Sequence, residues 1–171
     1  MGRLSHLQQS LPLALAQPNV NCIVVDYSCP NNSGDWVRAH HPEVTVVDVP
    51  DQMHFSAATA RNLGAGHSDT EWLLFLDADI LLPADFLQMT NIELMPDTVY
   101  RADTSAGGYD KYGSFLVQRA HFEKVGGFDE TFPGSRYFCE SLFWASKPKQ
   151  TAKTSRDRLC LRRPDRPAYV A

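Results

Sequence analysis

Five apolar residues in a row, Trp72-Leu73-Leu74-Phe75-Leu76, stop abruptly on an acidic triplet, Asp77-Ala78-Asp79. A run of that length without a polar break has the extent of a strand, and it suits one covered on both faces. Asn21-Cys22-Ile23-Val24-Val25-Asp26 follows the same pattern, a β-branched run closing on an acid before the turn-rich stretch through Cys29-Pro30-Asn31-Asn32-Ser33-Gly34. Glu43 to Val49 reads as a further strand. Helical segments separate them. Arg3 to Ala16 is amphipathic through Leu4, Leu7, Leu11, Leu13, Ala14 and Leu15, with a bend at Pro12. A short helix covers Trp36 to His40, capped by Ser33 or Asp35, and an alanine-rich helix runs from Ser56 to Gly66. This alternation predicts an α/β fold, a mostly parallel sheet flanked by helices and joined by right-handed crossovers. Ligands of such open sheets bind outside the carboxyl ends of the strands, where Asp26 and the Asp77/Asp79 pair both fall.

The 171 residues suffice for one compact domain with its own core. A net charge of −4 argues against a surface built for nucleic acid. No apolar run approaches the ~20 residues that span a bilayer. The four cysteines, Cys22, Cys29, Cys139 and Cys160, form no CxxC pair, which points to a reducing, cytoplasmic setting, with peripheral membrane attachment left open. Beyond the triplet, Pro83 opens a helix through Met89, Thr98 to Arg101 reads as a strand and Ser105 to Gly113 as a glycine-rich loop. Ser114 to Val117 then forms a strand leading into a helix over Arg119 to Val125. From Ser135 periodicity is lost, so a domain over 1–134 and an irregular tail over 135–171 are expected.

Two carboxylates one residue apart at a strand end can share a divalent cation. All-oxygen ligation favours Mg²⁺ or Mn²⁺, which keep positions open for phosphate oxygens. A solvated acidic loop is the plainer alternative. Asp26 could accept hydrogen bonds from a base or ribose, or could stabilise its own loop as an Asx-turn residue. Arg61 could pair with a diphosphate or lie on a helix surface. Gly126-Gly127-Phe128-Asp129-Glu130 reads as a helix stop, functional only if its loop reaches the site. The six histidines show no metal-ligand spacing on one helix face.

In sequence order, Val24-Val25-Asp26-Tyr27-Ser28, Ala60-Arg61-Asn62-Leu63-Gly64-Ala65, Leu74-Phe75-Leu76-Asp77-Ala78-Asp79 and Val125-Gly126-Gly127-Phe128-Asp129-Glu130 resemble family 2 glycosyltransferases across roughly Gly2 to Pro133. The resemblance implies a GT-A fold and transfer of a sugar from a nucleotide-diphosphate donor to a glycan or other acceptor hydroxyl, with inversion and with Mn²⁺ or Mg²⁺. A UDP-sugar is the first guess for the donor. It also implies that Asp26 contacts the base, that Arg61 lies near the nucleotide, that Asp77 lies by ribose and diphosphate, and that Asp79, with Asp77, binds the metal. The sequence departs from the family in two places. The strand that members place before the first helix is missing, so an N-terminally shortened domain with Met1 as an internal methionine is expected. The acidic pair that members carry after Gly-Gly-Phe-Asp-Glu is replaced by Phe138-Cys139-Glu140-Ser141-Leu142-Phe143, leaving Glu140 as the candidate base.

Two other readings compete. A chain so altered could be an inactive remnant that at most binds nucleotide. Asp77-Ala78-Asp79-Ile80-Leu81 also resembles the nucleophile motif of haloacid-dehalogenase-type phosphatases, although that family expects it on the first strand.

Overall fold

The structure, a computed structural model, describes residues 2–84, 86–89, 94–96, 98–101 and 113–131. Among these the elements run α1 (Leu4–Leu15), β1 (Ile23–Asp26), α2 (Ser33–His40), β2 (Thr45–Asp48), α3 (Ala57–Gly66), β3 (Trp72–Phe75), α4 (Phe86–Met89), β4 (Val99–Arg101), β5 (Phe115–Gln118) and α5 (Arg119–Lys124). The expected tail over 135–171 lies outside the described residues.

β1 and β2 pair in parallel, with Asp26 opposite Asp48, so both strands end on an acid at one level. β3 and β4 are both antiparallel to β5, which lies between them. Therefore β3 and β4 point the same way, as a crossover through α4 requires, and β5 fills the gap between them in reverse. The architecture is mixed α/β, with the parallel pairing at β1–β2. The reversed strand was not legible because its direction depends on the connection after β4, which carries no periodic pattern.

The uninterrupted apolar run is explained by β3 having both faces covered. Leu73 and Phe75 enter a cluster with Val99, Phe115, Val117 and Phe122, against which Ala65 and Phe128 pack. Trp72, Leu74 and Leu76 face the opposite way, onto Ile80, Leu82, Phe86, Tyr100 and Leu116. A third cluster joins Leu7, Leu11 and Leu15 of α1 to Val37, Val44 and Val46. Each fully buried side chain of this size contributes about 1.5–3 kcal/mol, so the acids at the strand ends stand on a rigid base.

The helix α1 also holds the segment after β3 through polar contacts. Ser10 Oγ donates to the Ala78 carbonyl at 2.7 Å. Gln17 is 4% exposed; its Nε2 donates to the Pro83 carbonyl at 2.8 Å and its Oε1 accepts the Leu87 N–H at 3.1 Å. Arg3, at the other end of α1, reaches Asp79.

Candidate functional site

Asp26 ends β1 and serves the backbone that follows it. Its Oδ1 accepts the Cys29 N–H at 2.7 Å and its Oδ2 the Gly34 N–H at 2.5 Å. Neither Ser33 nor Asp35 caps α2. Asn32 occupies the N-cap position at φ 50 without a side-chain bond, and the carboxylate from β1 satisfies a first-turn donor instead. A Cβ at Gly34 would lie 3.0 Å from Asp26 Oδ2 and 3.1 Å from Asp48 Oδ1, so this helix start fits closely over both acids. Cys29 lies in the same turn, its Sγ 2.9 Å from Ser33 Oγ. Burial alone would push the Cys29 thiol up; hydrogen bonds from the Ser33 hydroxyl and from backbone N–H groups of Asn31, Arg3 and Ser33 outweigh it and bring the thiol below its ordinary range. Cys22, by contrast, is pushed up by burial and by the nearby Glu43 charge.

The Asp77-Ala78-Asp79 segment leaves β3 in a tight turn, with the Ile80 N–H donating to the Asp77 carbonyl at 3.0 Å. Both acids carry a guanidinium. Arg61 Nη2 of α3 lies 2.8 Å from Asp77 Oδ1, and Arg3 Nη1 lies 3.1 Å from Asp79 Oδ2. Asp79 is 6% exposed, so its charge is held largely away from water. The Asp77 N–H donates to Ser114 Oγ at 3.2 Å, which ties the turn to the start of β5. Gly113 closes over the pair: a Cβ there would lie 2.3 Å from Asp77 Oδ2 and 2.5 Å from Arg61 Nη2.

The glycine-rich segment after α5 does reach this site. Gly126 and Gly127 take φ values of +84 and +72, which favour glycine, and turn the chain back toward α3. Phe128 then lies beneath Arg61, with the guanidinium carbon 5.5 Å from the ring centroid. Asp129 accepts from the Thr131 hydroxyl and N–H, and these two bonds hold its carboxyl below the usual carboxylate range.

The fold thus joins Arg61 to Asp77 and sets Asp79 two residues on, while Asp26 stands at the end of the neighbouring parallel pair. Glu140 lies outside the described residues. Sequence reasoning missed Arg3, Asp48, Gly113, Ser114 and the ring of Phe128. Arg3 and Ser114 pair with residues 76 and 37 positions away, and no local pattern marks such contacts. Gly113 could have been suspected from its place next to a strand, where glycine often marks a close approach.

As a donor set for a cation, Asp77 and Asp79 offer carboxylate oxygens alone. Among the described residues no group of three or more His, Cys, Asp or Glu side chains stands together as a metal cage. Two acids still fit a hard divalent ion that takes its remaining ligands from phosphate and water, and the two guanidinium groups show how strongly this turn draws positive charge. Among the described residues no helix is long and apolar enough to cross a membrane.

Solved structures with this arrangement of elements share a GT-A fold. A mannosyltransferase from Pyrobaculum calidifontis, PcManGT, in complex with GDP-Man and Mn²⁺, superposes with a TM-score of 0.61 at 19% identity, over 75% of this chain and 45% of that one. TarS of S. aureus in complex with UDP gives a TM-score of 0.61 at 13% identity, over 79% of this chain and 49% of that one. The chain spans about half the length of these structures, and at such identities the likeness is one of fold. No curated protein matches the chain. The sequence pattern of the glycosyltransferase-like family 2 matches residues 5–102, from α1 through β4, a stretch that includes Asp26, Arg61, Asp77 and Asp79. That match takes in more than half of the residues, and the chain belongs to the glycosyltransferase-like family 2.

Proposed function

We propose that the chain binds a nucleotide-diphosphate sugar at the carboxyl ends of β1 and β3 and passes the sugar to an acceptor hydroxyl with inversion. The observation that carries this reading is the Arg61–Asp77 pair beside Asp79 at the end of β3. The complexes of the similar structures, PcManGT with GDP-Man and Mn²⁺ and TarS with UDP, support it.

Arg61 is the diphosphate contact, since its guanidinium already faces an anion and is matched to phosphate geometry. Asp26 contacts the base. Each of its oxygens takes one backbone N–H, and a carboxylate oxygen has a second lone pair to offer. Asp79, with Asp77, would hold Mn²⁺ or Mg²⁺, which when bound supplies Lewis-acid neutralisation of charge on the departing diphosphate. In the transfer itself the acceptor oxygen attacks the anomeric carbon, the bond to the diphosphate oxygen breaks, and a carboxylate takes the hydroxyl proton. Glu140 is the candidate for that base. The match to family 2 leaves the phosphatase resemblance resting on the Asp-x-Asp triplet alone.

Calorimetric titration with UDP and GDP, with and without Mn²⁺, tests the reading alongside Asp79→Ala. Metal-dependent binding that disappears in the variant supports the donor site, and UDP-galactose or a UDP-N-acetylhexosamine is then the first donor to assay for hydrolysis and transfer. A folded chain that binds neither nucleotide refutes it and leaves the inactive-remnant reading standing.

A further inference from the structure

Asn62 and Arg61 are neighbours on α3 and therefore point about 100° apart around the helix axis. Both nevertheless meet Phe128, one through its backbone and the other through its ring. Asn62 Oδ1 accepts the Phe128 N–H at 2.9 Å, and Nδ2 donates to the Phe128 carbonyl at 2.9 Å. The carboxamide thus pairs with both main-chain groups of one residue, much as a residue of a neighbouring antiparallel strand would. Nδ2 also donates to Glu130 Oε1 at 2.7 Å, while Glu130 Oε2 accepts from Thr59 Oγ1 at 3.0 Å. A Cβ at Gly127 would lie 2.7 Å from Asn62 Oδ1, so glycine permits this approach as well as the positive φ. Held in this way, the Phe128 ring stands edge-on to Phe75 at 5.5 Å and presents itself to the Arg61 guanidinium.

We propose that Asn62 is a positioning residue: by gripping the N–H and the carbonyl of Phe128 it fixes the ring that backs Arg61, and so sets the guanidinium against Asp77 and the donor diphosphate. Only the last link, to the diphosphate, rests on the function proposed above. A carboxamide is required because the grip needs an acceptor and a donor on one short side chain. Leucine would fill the space and lose all three bonds.

The test follows Arg61 itself. In ¹⁵N-labelled protein the Arg61 Nε–Hε signal, assigned by its loss in Arg61→Lys, carries a ring-current shift from Phe128. In Asn62→Ala it moves to the position of an exposed arginine. In Asn62→Asp, which keeps the acceptor but sets a carboxylate against Glu130, it moves part of the way, and Glu130→Gln in that background restores it in part. UDP binding weakens about tenfold in Asn62→Ala, with a smaller loss for UMP, and the effect vanishes in an Arg61→Gln background because both changes act through one guanidinium. An Arg61 signal unmoved in the folded Asn62 variants overturns the proposal, as does a loss that adds in full to that of Arg61→Gln. Should the wild-type chain bind no nucleotide, the donor-site reading fails while the Arg61 signal still decides the role of Asn62.

Discussion

Replacing Gly113 with alanine adds one methyl group at the most crowded point of the site. The new Cβ would stand 2.3 Å from Asp77 Oδ2 and 2.5 Å from Arg61 Nη2, both well inside contact distance. These atoms are the far ends of side chains, so the backbone has no need to move and the cost falls on the ion pair. A charge-assisted hydrogen bond contributes about 1.5–3 kcal/mol when sheltered and about 0–1 kcal/mol when exposed. The side chains of Arg61 and Asp77 are 17% and 31% exposed, which sets the pair between these limits, at about 1–2 kcal/mol. For a chain of this size each kcal/mol shifts Tm by about 2–4 °C, so Gly113→Ala lowers Tm by about 2–8 °C. Its effect on UDP affinity is a loss of about tenfold, because Arg61 is pushed from its place. Gly66→Ala is the control: a Cβ there meets nothing within 4 Å, and alanine near the end of α3 is expected to be neutral or to stabilise by about 0.4–1 kcal/mol. Differential scanning calorimetry and isothermal titration measure both quantities. A Gly113→Ala protein with wild-type Tm and wild-type affinity refutes the reasoning.

Gln17→Ala removes from a buried place the side chain that accepts the Leu87 N–H and donates to the Pro83 carbonyl, which costs about 1–3 kcal/mol in urea unfolding at an unchanged slope. Iodoacetamide at about pH 7.5 modifies Cys29 before Cys22, as peptide mass spectrometry resolves, since only the thiolate reacts. The sign follows from the two shifts: the alkylation rate of Cys29 rises through a midpoint below the ordinary thiol value and that of Cys22 through one above it. Reversed order contradicts the hydrogen-bond account of Cys29.

Much of the fold was legible because burial leaves a record in local sequence. The run from Trp72 to Leu76 could be read as a strand covered on both faces, and the structure covers it with two separate clusters. Ser56 was legible as a helix start, and its hydroxyl accepts the Thr59 N–H. Contacts that depend on the assembled chain were not legible. Nothing near Arg61 announces Phe128, and nothing near Asp79 announces Arg3, because these partners meet only after the strands have been ordered. Asp26 shows a different limit. A carboxylate after a strand is equally suited to a ligand or to backbone donors, and only the positions of the Cys29 and Gly34 N–H groups reveal that it already serves the second purpose.

The contacts of α1 also fix its length. Arg3, Ser10 and Gln17 are seven residues apart, and seven residues fall only about 20° short of two full turns, so all three lie along one line of the helix and its flanks. One residue deleted between Ser10 and Gln17 would swing the far end by about 100° and leave whichever anchors had lost phase pointing away from residues 78–87. Among natural variants of this chain, substitutions on the outer face of α1 should therefore be common, and single-residue insertions or deletions within it should be rare.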